Sequence, residues 1–159
     1  MMFAKHRVVH AWMDQALRNK TIQKTYHAIV TKQDVLKEHD LIDAPIGRTY
    51  DSIINRCVRP DGKPSLTEYW LEETYQHSQL VKIRLHTGRT HQIRVHFSWL
   101  GCPLLGDDLY GGEKIEPLVR QALHCSQLDF VHPMTGEKMC VKAPLATDMA
   151  EWIEKDRYK

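Results

Sequence analysis

The chain has 159 residues, 42% of them hydrophobic and 26% charged. That composition excludes a disordered or fibrous chain and suits one folded domain, which at this length buries roughly 70% of its unfolded surface. A formal net charge of +2 and a pI of about 8.3 permit a nucleic-acid partner without requiring one.

No apolar run approaches the roughly 18 residues of a membrane helix. Lys5, His6 and Arg7 interrupt the short apolar start, so it does not follow the plan of a signal peptide. A cytoplasmic location is expected. Cys57, Cys102, Cys125 and Cys140 form no C-x-x-C pair, and their spacing suits neither a zinc ribbon nor a disulfide framework. They read as free, mostly buried thiols. Basic residues cluster twice: Lys5, Arg7, Arg18, Lys20 and Lys24 near the start, and Arg84, Arg89 and Arg94 in one short stretch. Charge alone leaves such clusters as solvated faces.

From Lys5 to Arg18, apolar residues recur at helical spacing through Val8, Val9, Trp12, Met13, Ala16 and Leu17, and Asn19 is placed to stop the helix. Alternation from Lys24 to Lys32 predicts a strand, with Tyr26, Ala28 and Val30 on one face and His27, Ile29 and Thr31 on the other. The polar stretch from Lys37 to Arg48 reads as a connection with one short strand. Pro60-Asp61-Gly62 is a turn, since proline presets its first corner and glycine tolerates positive φ. It separates a strand at Ile53–Val58 from a longer one at Leu66–Tyr75. Leu80 to Leu85 alternates again, with Leu80, Lys82 and Arg84 opposite Val81, Ile83 and Leu85.

After Gly88 the period becomes helical through Ile93, Phe97 and Leu100, and Gly101 is placed to end that helix. A Gly/Asp/Tyr-rich loop spans Gly106 to Gly112, and Leu118 to Leu123 reads as a further helical turn. Two short strands flank the turn His132–Gly136. A last helix begins near Thr147 and uses Met149, Trp152 and Ile153. The sum is a single α+β domain, mixed in order along the chain, with a largely antiparallel sheet and flanking helices.

The stretch His86-Thr-Gly-Arg-Thr-His-Gln-Ile-Arg-Val-His96 carries the most chemistry. Gly88 lets the backbone turn tightly, and Thr90 is a good N-cap candidate. The helix start then presents Arg89, His91, Gln92 and Arg94 together, a grouping that favours anions such as phosphate. The Gln92 amide can bond a base or backbone, whereas His96 sits deeper and reads as structural. His86, His91 and His96 are five residues apart. On a helix that spacing rotates about 140° past a full turn, so the three share no face and a metal site is not expected.

Gly88-Arg-Thr-His-Gln-Ile-Arg94-Val-His96, followed by Leu100-Gly-Cys-Pro-Leu-Leu-Gly-Asp107 and Tyr110-Gly111, resembles the signature of RluA-type RNA pseudouridine synthases. Lys24-Thr-Tyr26-His-Ala28-Ile-Val30 resembles that family's K-x-Y-x-A-x-V strand. Gly62-Lys63-Pro64 with Thr67-Glu68-Tyr69 resembles its G-K-x-A-x-T-x-Y/F segment. Leu123-His124, Leu128, Phe130, His132-Pro133, Gly136 and Ala143-Pro144-Leu145 resemble its closing stretch. The pieces run in the family's order over most of the chain.

The resemblance implies a pseudouridine synthase-like fold and an enzyme that detaches uracil from its ribose in RNA, turns it and rejoins it through carbon 5. No cofactor and no metal are implied. Tyr26 would pack on the target base and is a candidate for removing its C5 proton. Arg94 would pair with a catalytic aspartate. Lys24, Arg89, His91 and Gln92 are the candidate RNA contacts, and the RNA is ribosomal or transfer RNA. The family carries its aspartate in an H-R-L-D-x-x-T-S-G motif, and no such motif occurs in these residues. Asp14, Asp107 and Asp108 are no natural replacement. Ser65, Cys125 and Ala146 are minor departures.

The chain therefore reads as a partial catalytic domain spanning 1–159, inactive alone, with exposed edges and apolar surface that promote self-association. The alternative is a truncated, non-catalytic RNA-binding protein. A His-dependent nuclease is a third reading, for which no paired acid and base is evident by spacing.

Overall fold

A computed structural model describes residues 5–19, 21–50, 52 and 54–157. Lys20 of the first basic cluster, Ile53 of the expected strand and Met2, Phe3 and Ala4 ahead of Lys5 lie outside the described residues.

Helix α1 covers Arg7–Arg18 and ends at Asn19, whose N–H bonds back to the carbonyl of Gln15. Strand β1, Gln23–Thr31, lies in the middle of the sheet, between β6 (Ser78–Leu85) and β7 (Leu123–Val131). Beyond β6 come β5 (Leu66–Thr74) and β2 (His39–Asp43); beyond β7 comes β8 (Lys138–Lys142). The six-stranded order is β2-β5-β6-β1-β7-β8, and every pairing is antiparallel.

The alternation in β1 and β6 sorts side chains to the two faces. Ala28, Val30, Val81 and Ile83 face Ile93 and Phe97 of helix α2 (Gln92–Trp99). Ile29 and Leu80 face Met149, Trp152 and Ile153 of helix α3 (Thr147–Arg157). The sheet is thus covered by α2 on one side and α3 on the other. Phe97 is fully buried, and truncating such a ring to alanine costs about 3–5 kcal/mol.

Four expectations are corrected. The segment from Lys37 to Arg48 holds two short strands: β2, and β3 at Ile46–Arg48, which pairs with β4 (Arg56–Val58) as a separate hairpin. Pro45 stands between β2 and β3, where its missing N–H suits a chain leaving one sheet for another. Leu118–Leu123 forms no helix. Leu118 is buried, and the Ala122 N–H bonds to Leu105 while its carbonyl accepts from Ile29, so long-range pairing buries this segment. The cysteines are free but not mostly buried: Cys102 is enclosed, whereas Cys125 and Cys140 are exposed. The cap of α2 is His91, not Thr90.

Candidate functional site

Gly106 opens the loop that follows α2. Its φ is +73°, and a Cβ there would fall 2.0 Å from the Arg120 carbonyl oxygen, so a side chain is excluded twice over. That close approach places Asp107 beneath α2. Arg94 Nε and Nη2 donate to its two carboxylate oxygens at 2.7 and 2.6 Å. The Asp107 side chain is fully buried and that of Arg94 is 13% exposed. Asp107 and its bonds raise the Arg94 pKa further, so the guanidinium is permanently charged. Arg94 Nη1 makes no hydrogen bond among the described residues.

Tyr110 ties this pair to its surroundings. The Arg94 guanidinium lies 4.8 Å from the Tyr110 ring centroid. The Tyr110 hydroxyl accepts the Arg56 backbone N–H at 3.2 Å, which leaves its proton for His91 Nδ1 at 2.8 Å. His91 has a φ of +57°, an uncommon conformation for a non-glycine residue. Burial and the charges of Arg94 and Arg56 hold its pKa below the ordinary imidazole value, so the ring accepts this bond as a neutral group.

Tyr26 lies half-buried on β1, opposite Ile83 on one side and Cys125 on the other. With Lys24, Ile22, Leu85, Thr87 and Gly88 it lines a groove of about 410 Å³. A second groove of about 520 Å³ continues from Tyr26 along Leu128, Phe130 and Val141. Burial, and then the Cys125 thiol, push the Tyr26 phenol above its ordinary 10, so it keeps its proton at neutral pH.

The candidate residues are therefore divided. Lys24 and Tyr26 share one groove, and Arg89 lines a neighbouring notch that meets that groove at Gly88. His91 and Arg94 converge on Tyr110. Gln92 is the exception to its expected role as an RNA contact. It is 2% exposed, and its amide is fully engaged inside the fold. Its oxygen accepts from Thr87 and from the Arg89 N–H, while its nitrogen donates to the Leu66 carbonyl and to Thr67. Gln92 shapes the turn that carries Arg89 and does not face outward. The three histidines point to separate partners: His86 to Glu68, His91 to Tyr110 and His96 to Thr67 and Ala44.

His96 yields a pH prediction. Its Nε2 donates to the Ala44 carbonyl, so its Nδ1 accepts the Thr67 hydroxyl, and this second bond requires a neutral ring. Burial lowers its pKa from the ordinary 6.5. Below about that pH the unfolded chain binds a proton that the folded one refuses, so stability falls as pH drops through this range. The urea midpoint is expected to fall between neutral pH and about 5, and less steeply in His96→Gln. An equal slope in the variant would exclude His96 as the cause.

Residues 1–99 match the family described as RNA pseudouridylate synthase. A Bacillus subtilis protein called uncharacterized RNA pseudouridine synthase YjbO is 44% identical over 158 residues, covering 99% of this chain and 55% of that protein. The ribosomal large subunit pseudouridine synthase D of Vibrio vulnificus is 38% identical over 167 residues, covering 97% of this chain and 51% of that protein. This chain belongs to the RNA pseudouridylate synthase family. The RluA-type resemblance thus stands on relatives across nearly all its length, and the chain spans about half the length of the curated relatives it matches. Human RNA Pseudouridylate Synthase Domain Containing 1 shares the fold, with a TM-score of 0.75 at 24% identity over 98% of this chain and 74% of that one. The α+β sheet described above is therefore a pseudouridylate synthase fold.

Sequence reasoning did not assign roles to Tyr110, Arg48 or Arg56. Tyr110 was visible only as part of a motif, and its function as the joint between Arg94, His91 and β4 depends on contacts distant in sequence.

Proposed function

We propose that this chain supplies the tyrosine and arginine side of an RNA pseudouridine synthase active site, as part of a single catalytic domain. The observation that carries the reading is the groove in which Tyr26 and Lys24 of β1 meet the Gly88 turn, on a fold and in a sequence of this family. In the reaction the C1′–N1 bond of a uridine breaks, the freed uracil turns, C1′ bonds to C5, the C5 proton leaves, and N1 takes up a proton. Tyr26 offers the flipped base a ring to stack on and stands near the departing proton. Arg94, locked by Asp107 through Nε and Nη2, presents Nη1 to a second carboxylate that would attack or stabilise the ribose. Lys24 and Arg89 hold phosphates, and His91 lines the approach. The substrate is ribosomal or transfer RNA, and the name of the Vibrio relative makes large-subunit ribosomal RNA the first to try. A cytoplasmic location fits such a substrate.

Tritium release from RNA labelled at uridine C5 is the test, run on this chain and on a fusion behind the front half of a Bacillus relative. Release by the fusion supports the proposal. Release by this chain alone assigns the carboxylate to its own residues. Release by neither, with RNA binding retained, makes it a non-catalytic RNA-binding protein.

Self-association belongs to the same reading. Helix α1 buries no residue: Val8, Trp12 and Leu17 are 60%, 43% and 45% exposed, and all of β8 is exposed at a sheet edge. Light scattering is expected to show a mass that rises with concentration. A constant monomer mass would overturn it.

A further inference from the structure

The β3–β4 hairpin and the Gly88–Thr90 turn enclose a notch of about 580 Å³ that is lined by Arg48, Arg56, Lys63 and Arg89. Arg48, Lys63 and Arg89 form no ion pair among the described residues. Arg89 is held in place by donating Nε to the Pro64 carbonyl at 3.1 Å. The single acid among the described lining residues, Asp61, is already engaged, since Arg59 Nη2 donates to its Oδ2 at 2.6 Å. Arg59 bonding also holds the Asp61 carboxyl below its usual range. The notch is therefore strongly positive.

Arg59 reaches Asp61 by crossing Gly47, where an added Cβ would fall 2.3 Å from the Arg59 Cδ. Its Nη1 donates to the Arg48 carbonyl at 2.7 Å. The same guanidinium lies 4.2 Å from the Tyr50 ring centroid and donates to the Tyr50 hydroxyl at 2.6 Å. Tyr50 is nonetheless 94% exposed. An open aromatic ring, braced by a cation beside the basic side chains of Arg48, Lys63 and Arg89, is the pairing that single-stranded nucleic acid fits: phosphate in the notch, base on the ring. A phosphopeptide would supply the anion without the flat partner, and a duplex keeps its base faces stacked.

We propose that this notch binds a backbone phosphate of single-stranded RNA and that Tyr50 stacks on an adjacent base. The inference rests on the RNA reading above and adds a second contact surface to it. The notch and the Tyr26 groove share Gly88, so one strand can occupy both.

The test is fluorescence anisotropy of an end-labelled, unstructured single-stranded RNA over a range of salt. Arg48→Gln with Lys63→Gln is expected to flatten the slope of log affinity against log salt by about 0.7 for each phosphate contact removed. Tyr50→Ala is expected to weaken binding about tenfold at every salt concentration with the slope unchanged, and Tyr50→Trp to retain it. All three side chains are exposed, and circular dichroism checks that each variant is folded. Affinity lost in Lys24→Gln but unmoved by the notch and Tyr50 variants overturns this inference and leaves the Tyr26 groove as the RNA site. No RNA binding by the unaltered chain overturns both.

Discussion

Asp107→Ala is expected to remove about 3–5 kcal/mol of folding stability, read as a fall in the urea midpoint with an unchanged m-value. The carboxylate is fully buried and makes two short bonds to Arg94, which is itself nearly enclosed. Removing it leaves a guanidinium in a space that water reaches poorly, and an unpaired charge there is costly. Arg94→Met with Asp107→Leu is expected to recover most of the loss, because neither charge is then stranded. Arg94→Lys is not a mild change, since an ammonium cannot present the planar fork that bridges both oxygens. A loss below about 1 kcal/mol in Asp107→Ala would show that Asp107 does not seat Arg94, and the orientation of Nη1 would need another cause.

The same pair shows where the sequence stops being informative. The central strands are legible because successive side chains in β1 and β6 alternate between two faces, and the residues assigned to one face in each strand lie side by side, Ala28 opposite Val81 and Tyr26 opposite Ile83; the pairing itself is not legible. The helix after Gly88 is legible because Ile93 and Phe97 must meet the sheet. Gln92 misleads, because a polar side chain at a helix start reads as exposed; its four partners are Leu66, Thr67, Thr87 and Arg89, and the first two are distant in sequence. Leu118 and Leu123 mislead in the opposite way, since two apolar residues in a short span carry no period, and the segment is fixed instead by the bonds of Ala122 to Leu105 and Ile29. The notch is invisible for a third reason. Arg48 and Lys63 look like ordinary surface charges until the hairpin folds against the Gly88–Thr90 turn. The family motifs indicate chemistry at Tyr26 and Arg94, but local pattern does not reveal that a buried Asp107 would hold the arginine.

Tyr26→Phe is expected to lower kcat for isomerisation by about 10²- to 10⁴-fold, measured in the active fusion, with RNA affinity unchanged. Tyr26→Ala is expected to lose the same activity and, in addition, about 1–3 kcal/mol of binding from the lost stack. The separation follows from the two roles proposed for the ring. Stacking needs only its face, which phenylalanine keeps, whereas taking the C5 proton needs the phenolic oxygen. Burial and the neighbouring Cys125 thiol push the phenol above 10, so the resting group is protonated and only a small fraction is competent as a base at neutral pH. That fraction grows about tenfold for each pH unit below the pKa, so kcat is expected to climb with pH beyond 8 and to lose this climb in Tyr26→Phe. A Tyr26→Phe enzyme with unaltered kcat would make the ring a stacking surface alone, and the C5 proton would then leave to a group other than Tyr26.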